Sequence, residues 1–152
     1  MKNCFGLSSR SVAWLNKYYP IPAERVTSKW AWLRAVKYSL LKWKGLRTDI
    51  LDKYNLIENG AELLDGESFV KIVVIGERTC HLCVRAGAVF NKNNCKRCPF
   101  VKILNNLCCE GATSPYGVWI DSYNPEPMIK SLEEIYRVLK RDPKFMSKQT
   151  PL

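Results

Sequence analysis

The chain has 152 residues, of which 47% are hydrophobic and 25% charged, and its formal net charge is +10. Five Trp, seven Tyr and five Phe exclude a disordered polymer, and no apolar run approaches the ~20 residues of a membrane span. The surplus of Lys and Arg points to an anionic partner, either nucleic acid or an acidic protein face.

The charge is uneven. Residues 1–54 hold eleven Lys/Arg against three Asp/Glu, and residues 71–109 hold seven bases against one acid. Residues 55–70 carry four acids and no base, and residues 110–152 balance. The length predicts one domain over 1–152. Within it we expect a basic helical region (1–65), a cysteine module (66–112), a connector and C-terminal helix (113–142) and a loose tail (143–152). The stretch from Met1 to Arg10 lacks a basic segment followed by an apolar core, which argues against a secretory signal and for a reducing cytoplasm.

Ser8 or Ser9 is placed to cap a short helix through Val12, Trp14, Leu15 and Tyr18, which Tyr19-Pro20-Ile21-Pro22 must end. The next helix is predicted over Lys29–Lys44, with Gly45 as its C-cap. Trp32, Leu33, Val36, Leu40 and Trp43 share one face of it. Arg34, Lys37, Lys42 and Lys44 lie mostly on the other side, interleaved with Trp30 and Tyr38. That side reads either as a solvated face or as a nucleic-acid face with aromatic platforms. Arg47–Tyr54 predicts a second short helix, Asn59-Gly60 a turn, and Ala61–Leu64 one further helical turn. Phe69–Ile75 is the best strand, and Arg85–Phe90 is expected to return beside it, with Gly87 as a weak point. Pro99–Asn106 reads as a helix opened by proline, and residues 113–127 as irregular, with a helical turn around Trp119. Pro127 begins the clearest helix, with Met128, Leu132, Ile135 and Leu139 inward and Lys140-Arg141 at its C-terminal end, as the helix dipole favours.

The chemistry concentrates in Cys80-His81-Leu82-Cys83 and Cys95-Lys96-Arg97-Cys98. Two intervening residues let both sulfurs of a pair reach one ion from one turn, and two such turns make a tetrahedral cage for Zn²⁺. Cys80, Cys83, Cys95 and Cys98 are therefore the expected metal ligands. Incidental buried thiols are the bland alternative, and an iron–sulfur cluster, hinted at by Cys98-Pro99, is the third. His81, the only histidine, reads as pointing outward or as replacing a thiolate. Cys108 and Cys109 read as buried thiols or a spare ligand, and Cys4 has no visible partner in the sequence. Lys96 and Arg97 would project from the second turn, to touch a phosphate or to offset the thiolate charge. No phosphate loop, nucleophile elbow or dinucleotide fingerprint is present, and the one histidine near a cysteine lies inside the first pair, so we expect no enzyme.

The run Cys80-x-x-Cys83, Cys95-x-x-Cys98-Pro99, Cys108-Cys109, Ser114-Pro115-Tyr116 and Trp119, preceded by Lys42-Trp43-x-Gly45-Leu46, resembles small uncharacterised proteins encoded by bacteriophages. The resemblance implies a cytoplasmic protein of an infected bacterium that binds a host factor, including defence systems. It carries over no functional residue.

The expected fold is α+β and mostly helical: N-terminal helices, a small zinc-ribbon-like β-knuckle holding the metal, and a C-terminal amphipathic helix. The expected function is a non-catalytic zinc-binding accessory protein that modulates a host protein complex. The competing reading is a basic zinc-knuckle nucleic-acid-binding protein using Lys29, Arg34, Lys37, Lys42, Lys96 and Arg97.

Overall fold

Two amphipathic helices, α2 (Trp32–Lys44) and α7 (Glu126–Arg141), make the most extensive helix–helix contact and set the core. From α7 come Met128, Ile129, Leu132, Ile135 and Leu139, all buried, and from α2 come Ala35, Val36 and Trp43. The computed structural model describes residues 6–104 and 114–148 of the chain. Cys4, Cys108, Cys109 and the end of the expected tail lie outside them. Among the described residues no helix is long and apolar enough to cross a membrane.

Helix α1 (Ser9–Tyr18) starts where Ser8 Oγ accepts the Ser11 N–H, which satisfies one of the unpaired amides of the first turn. It docks on the end of α2: buried Trp14 donates from Nε1 to the Gly45 carbonyl at 2.9 Å. A Cβ at Gly45 would stand 2.6 Å from the Tyr18 ring, so this position is glycine because the two chain segments touch there. Its φ of −71° needs no glycine. Helix α3 (Thr48–Lys53) comes directly after.

A three-stranded antiparallel sheet is next, β1 (Leu56–Asn59), β2 (Glu62–Asp65) and β3 (Lys71–Val74), in the order β1-β2-β3. Leu56, Leu63, Asp65 and Val73 are buried, while Ile57 and Val74 are exposed. The predicted helical turn at Ala61–Leu64 is thus a strand. The alternation of Leu63 inward and Leu64 outward, paired on both sides, overrides the helix preference of Ala-Glu-Leu-Leu. Asp65 is fully buried and accepts from Ser8 N and Ser11 Oγ, each at 2.6 Å, and from the amides of Glu67 and Ser68. Burial opposes its ionisation, but the hydrogen bonds from Ser11, Ser8 and Ser68 outweigh that and hold the carboxyl well below the usual range.

After β3 the chain does not build the expected zinc-ribbon-like β-knuckle. Instead of a return strand, residues 81–86 form helix α4 (His81–Ala86), stopped by Gly87 at φ +79° in the left-handed cap conformation. The second cysteine pair lies on a 3₁₀ turn (Lys92–Arg97) that runs into α5 (Pro99–Lys102). The region is helical, and the molecule is a mostly helical fold with one small open sheet. Helix α6 (Pro115–Ser122) has Ser114 Oγ accepting from Gly117 N and proline at its first position. It is tied to the sheet region at two points: Tyr116 Oη donates to Ile75 O, and Tyr123 Oη accepts from Gly60 N. Trp43 and Trp119 meet edge-on, 5.4 Å between centroids. The start of the expected tail is a 3₁₀ turn (Phe145–Lys148) that buries Met146.

Candidate functional site: a buried lysine beside Cys80 and Cys83

Helix α4 packs closely on α2. Along α2, Ala35 and Ser39 are buried, and one turn beyond Ser39 stands Lys42. This lysine is 1% exposed. Its ammonium donates to the Thr79 carbonyl at 2.8 Å and lies 5.7 Å from the centroid of Trp43. Burial lowers its pKa, and the neighbouring Cys80 and Cys83 work in the opposite sense, favouring the charged form. The helical pattern puts Lys42 on a solvated or nucleic-acid face, and in the fold it belongs to neither.

Cys80 is the N-cap residue of α4 and is half-buried, while Cys83 is buried one turn in. The Cys83 side chain donates to the Cys80 sulfur, the Lys42 charge sits opposite, and the Cys83 and Leu82 amides point at the same sulfur. These interactions outweigh desolvation and bring the Cys80 pKa down to about 6. Thiolates at helix N-termini or beside a cation are stabilised in this way.

His81, between the two, points inward and is fully buried. Its Nε2 is 2.7 Å from the Ile21 carbonyl and so carries the proton. Tyr19, Trp30 and Tyr38 surround the ring with centroids 5.6, 6.5 and 5.7 Å away. Burial first, and the Lys42 charge in addition, push its pKa down to about 4. The imidazole is therefore neutral at pH 7, and Nδ1 has no hydrogen-bond partner among the described residues.

The expected zinc site does not form. Among the described residues no three His, Cys, Asp or Glu side chains are grouped to hold a metal ion. Cys80, Cys83, Cys95 and Cys98 therefore do not assemble into one cage. The first pair is drawn onto α2 and toward Lys42, and the second lies at the 3₁₀ turn before α5, where Cys98 joins the core with Phe100. The same finding removes the iron–sulfur alternative and, with it, both zinc-based functions.

The basic residues sort differently. Lys29, Arg34, Lys37, Lys96 and Arg97 are all exposed. The Arg34 guanidinium lies 3.8 Å from the Trp30 ring centroid. Arg85 donates to the Trp30 carbonyl at 2.7 Å and covers Trp32. The 3₁₀ turn carrying Lys96 and Arg97 packs on α4, which packs on α2, so the two basic stretches of the sequence meet around one helix. Sequence reasoning missed Phe90, which is 90% exposed on the intervening loop. That loop is tied down, since Asn94 Nδ2 donates to Gly87 O and Asn91 caps the 3₁₀ turn through Asn93 N.

No family model matches the chain, and neither a curated protein nor a solved structure matches it.

Proposed function

We propose that the protein binds single-stranded nucleic acid without catalysing a reaction on it, using Phe90 as a stacking platform flanked by cations. The observation that carries this reading is a bare phenyl ring, 90% exposed, on a braced loop that leads through Lys92 into the turn carrying the exposed Lys96 and Arg97. An aromatic ring offers a stacking surface to any base, and the surrounding ammonium and guanidinium groups attract the phosphates. Lys29, ahead of α2, and Lys37 on it extend the positive field, and Arg34 on Trp30 adds an aromatic-cation pair. Lys42 is withdrawn from this set because it is buried. Cysteines carried as thiols suit a reducing cytoplasm, which is where we place the protein.

Fluorescence anisotropy with a labelled single-stranded oligonucleotide tests this reading over a salt series. We expect binding that weakens steeply with salt, a shallower slope for Lys96→Ala with Arg97→Ala, and a loss of about 1–3 kcal/mol for Phe90→Ala. Equal affinity of Phe90→Ala and the unaltered protein overturns it. A protein partner is the second reading, favoured by the exposed Ile57, Phe69, Val70 and Val74 on and beside the sheet. Salt-tolerant binding of a protein, abolished by Phe69→Ser and indifferent to Phe90→Ala, would select it.

A further inference from the structure

The geometry points to Cys80 and Cys83 as a redox-active dithiol that reduces a disulfide-bearing substrate, with the buried Lys42 ammonium as counter-ion of the attacking Cys80 sulfur. This is a chemical activity beyond nucleic-acid binding, and it rests on different residues.

Three features meet at one place. Cys80 as a residue keeps part of its surface in solvent, while Cys83 is buried. The two side chains interact directly, Cys83 donating to the Cys80 sulfur. An ammonium that is 1% exposed faces them, anchored on the Thr79 carbonyl. A lysine is rarely buried without a charge to meet, and the groups that favour its charged form here are the two thiols. His81 does not act as the base, because its Nε2–H is given to Ile21 O and its ring is enclosed by aromatic side chains. The ionisable groups facing Cys80 are Lys42 from α2, Cys83 from α4 and Tyr19 from the segment after α1.

The reaction proceeds by two displacements. The Cys80 thiolate attacks one sulfur of a disulfide RSSR. The Cys80–S bond forms, the substrate S–S bond breaks, and the first RS⁻ leaves and takes up a proton. Cys83 then gives up its proton and attacks the Cys80 sulfur. The Cys80–Cys83 bond forms as the mixed disulfide breaks, and the second RS⁻ leaves and is protonated. Two electrons and two protons pass from the protein to the substrate, giving two RSH and an internal disulfide. A low-molecular-weight thiol restores the dithiol by the reverse exchange.

The test uses the full chain, reduced and then exposed to oxidised glutathione from pH 5 to pH 9, with acid quench, alkylation of remaining thiols and peptide mapping. We expect a Cys80–Cys83 disulfide, two glutathione thiols released per chain, and a rate that rises with pH through a midpoint near 6. Cys83→Ser should stop at a glutathione adduct on Cys80 with one thiol released. Lys42→Met should move the midpoint up by about one pH unit or more, and Lys42→Arg should restore part of that shift. If Lys42→Met does not fold, the Cys83→Ser adduct and the midpoint of the unaltered protein still decide the matter. Oxidation that joins Cys95 to Cys98 and leaves Cys80 reduced overturns the proposal. So does a Cys80 midpoint near that of an ordinary thiol.

Discussion

The two Cys-x-x-Cys segments share a spacing and little else. In Cys80-His81-Leu82-Cys83 both inner residues are fully buried, and the turn is packed against a helix whose lysine faces it. In Cys95-Lys96-Arg97-Cys98 both inner residues are exposed cations on a 3₁₀ turn, and Cys98 serves as the N-cap of α5. The motif alone therefore does not fix the chemistry. The intervening side chains, and the helix that lies behind them, make one pair an electrostatic site and the other part of a basic surface.

The third position of each motif should separate the two turns most. Leu82→Ala should lower unfolding free energy by about 2–5 kcal/mol in a denaturant titration, because it opens a cavity between α4 and the core. Arg97→Ala should change it by less than about 0.5 kcal/mol. Equal costs would mean that both turns are packed alike. The second position separates them through pH. His81 has a folded-state pKa below its unfolded value, so its contribution is complete above about pH 6.5 and is lost as pH falls through about 4. His81→Phe should flatten stability between those limits, whereas Lys96→Ala should leave the profile unchanged.

A smaller effect lies away from both turns. Glu58, whose Oε1 is buried without a partner among the described residues, has its pKa pushed up to about 7 by burial. A raised carboxyl pKa means that this group's stability contribution is full below about 4.5 and is lost as pH rises through 7. Glu58→Gln should gain stability relative to the unaltered protein over that window. Discounted for partial solvent screening, the gain at pH 8 should be about 1 kcal/mol.

Elements were legible in the sequence where their signals are local. Ser8 as a cap, the 3.6-residue pattern of α2 and the apolar spacing of α7 are written in neighbouring residues, and those helices form there, although α2 starts at Trp32 and not at the expected Lys29. Ser114-Pro115 is an equally local start signal for α6, obscured by its proline-rich flanks. Strands β1 and β2 exist only because each has a partner, and Ala-Glu-Leu-Leu read alone favours a helix. Gly87, a weak point in any strand, is the left-handed stop of α4. The sign of Lys42 suggests solvent, and that hides its burial from a reading by charge. The spacing Ala35, Ser39, Lys42 puts the lysine on one helical stripe with two small buried residues.

The buried carboxylate of Asp65 also bears on the order in which the molecule assembles. It joins Ser8 and Ser11 to a hairpin 54–57 residues away, and Trp14 reaches Gly45 across 31. Helix α1 has ten residues, too few to persist alone, so both of its attachments must be built before it has anywhere to settle. Helix α1 is thus among the last segments to become protected. In native-state hydrogen exchange its amides should open together, at lower free energy than those of α2 and α7, and removing the Asp65 carboxylate should release that whole segment as a unit.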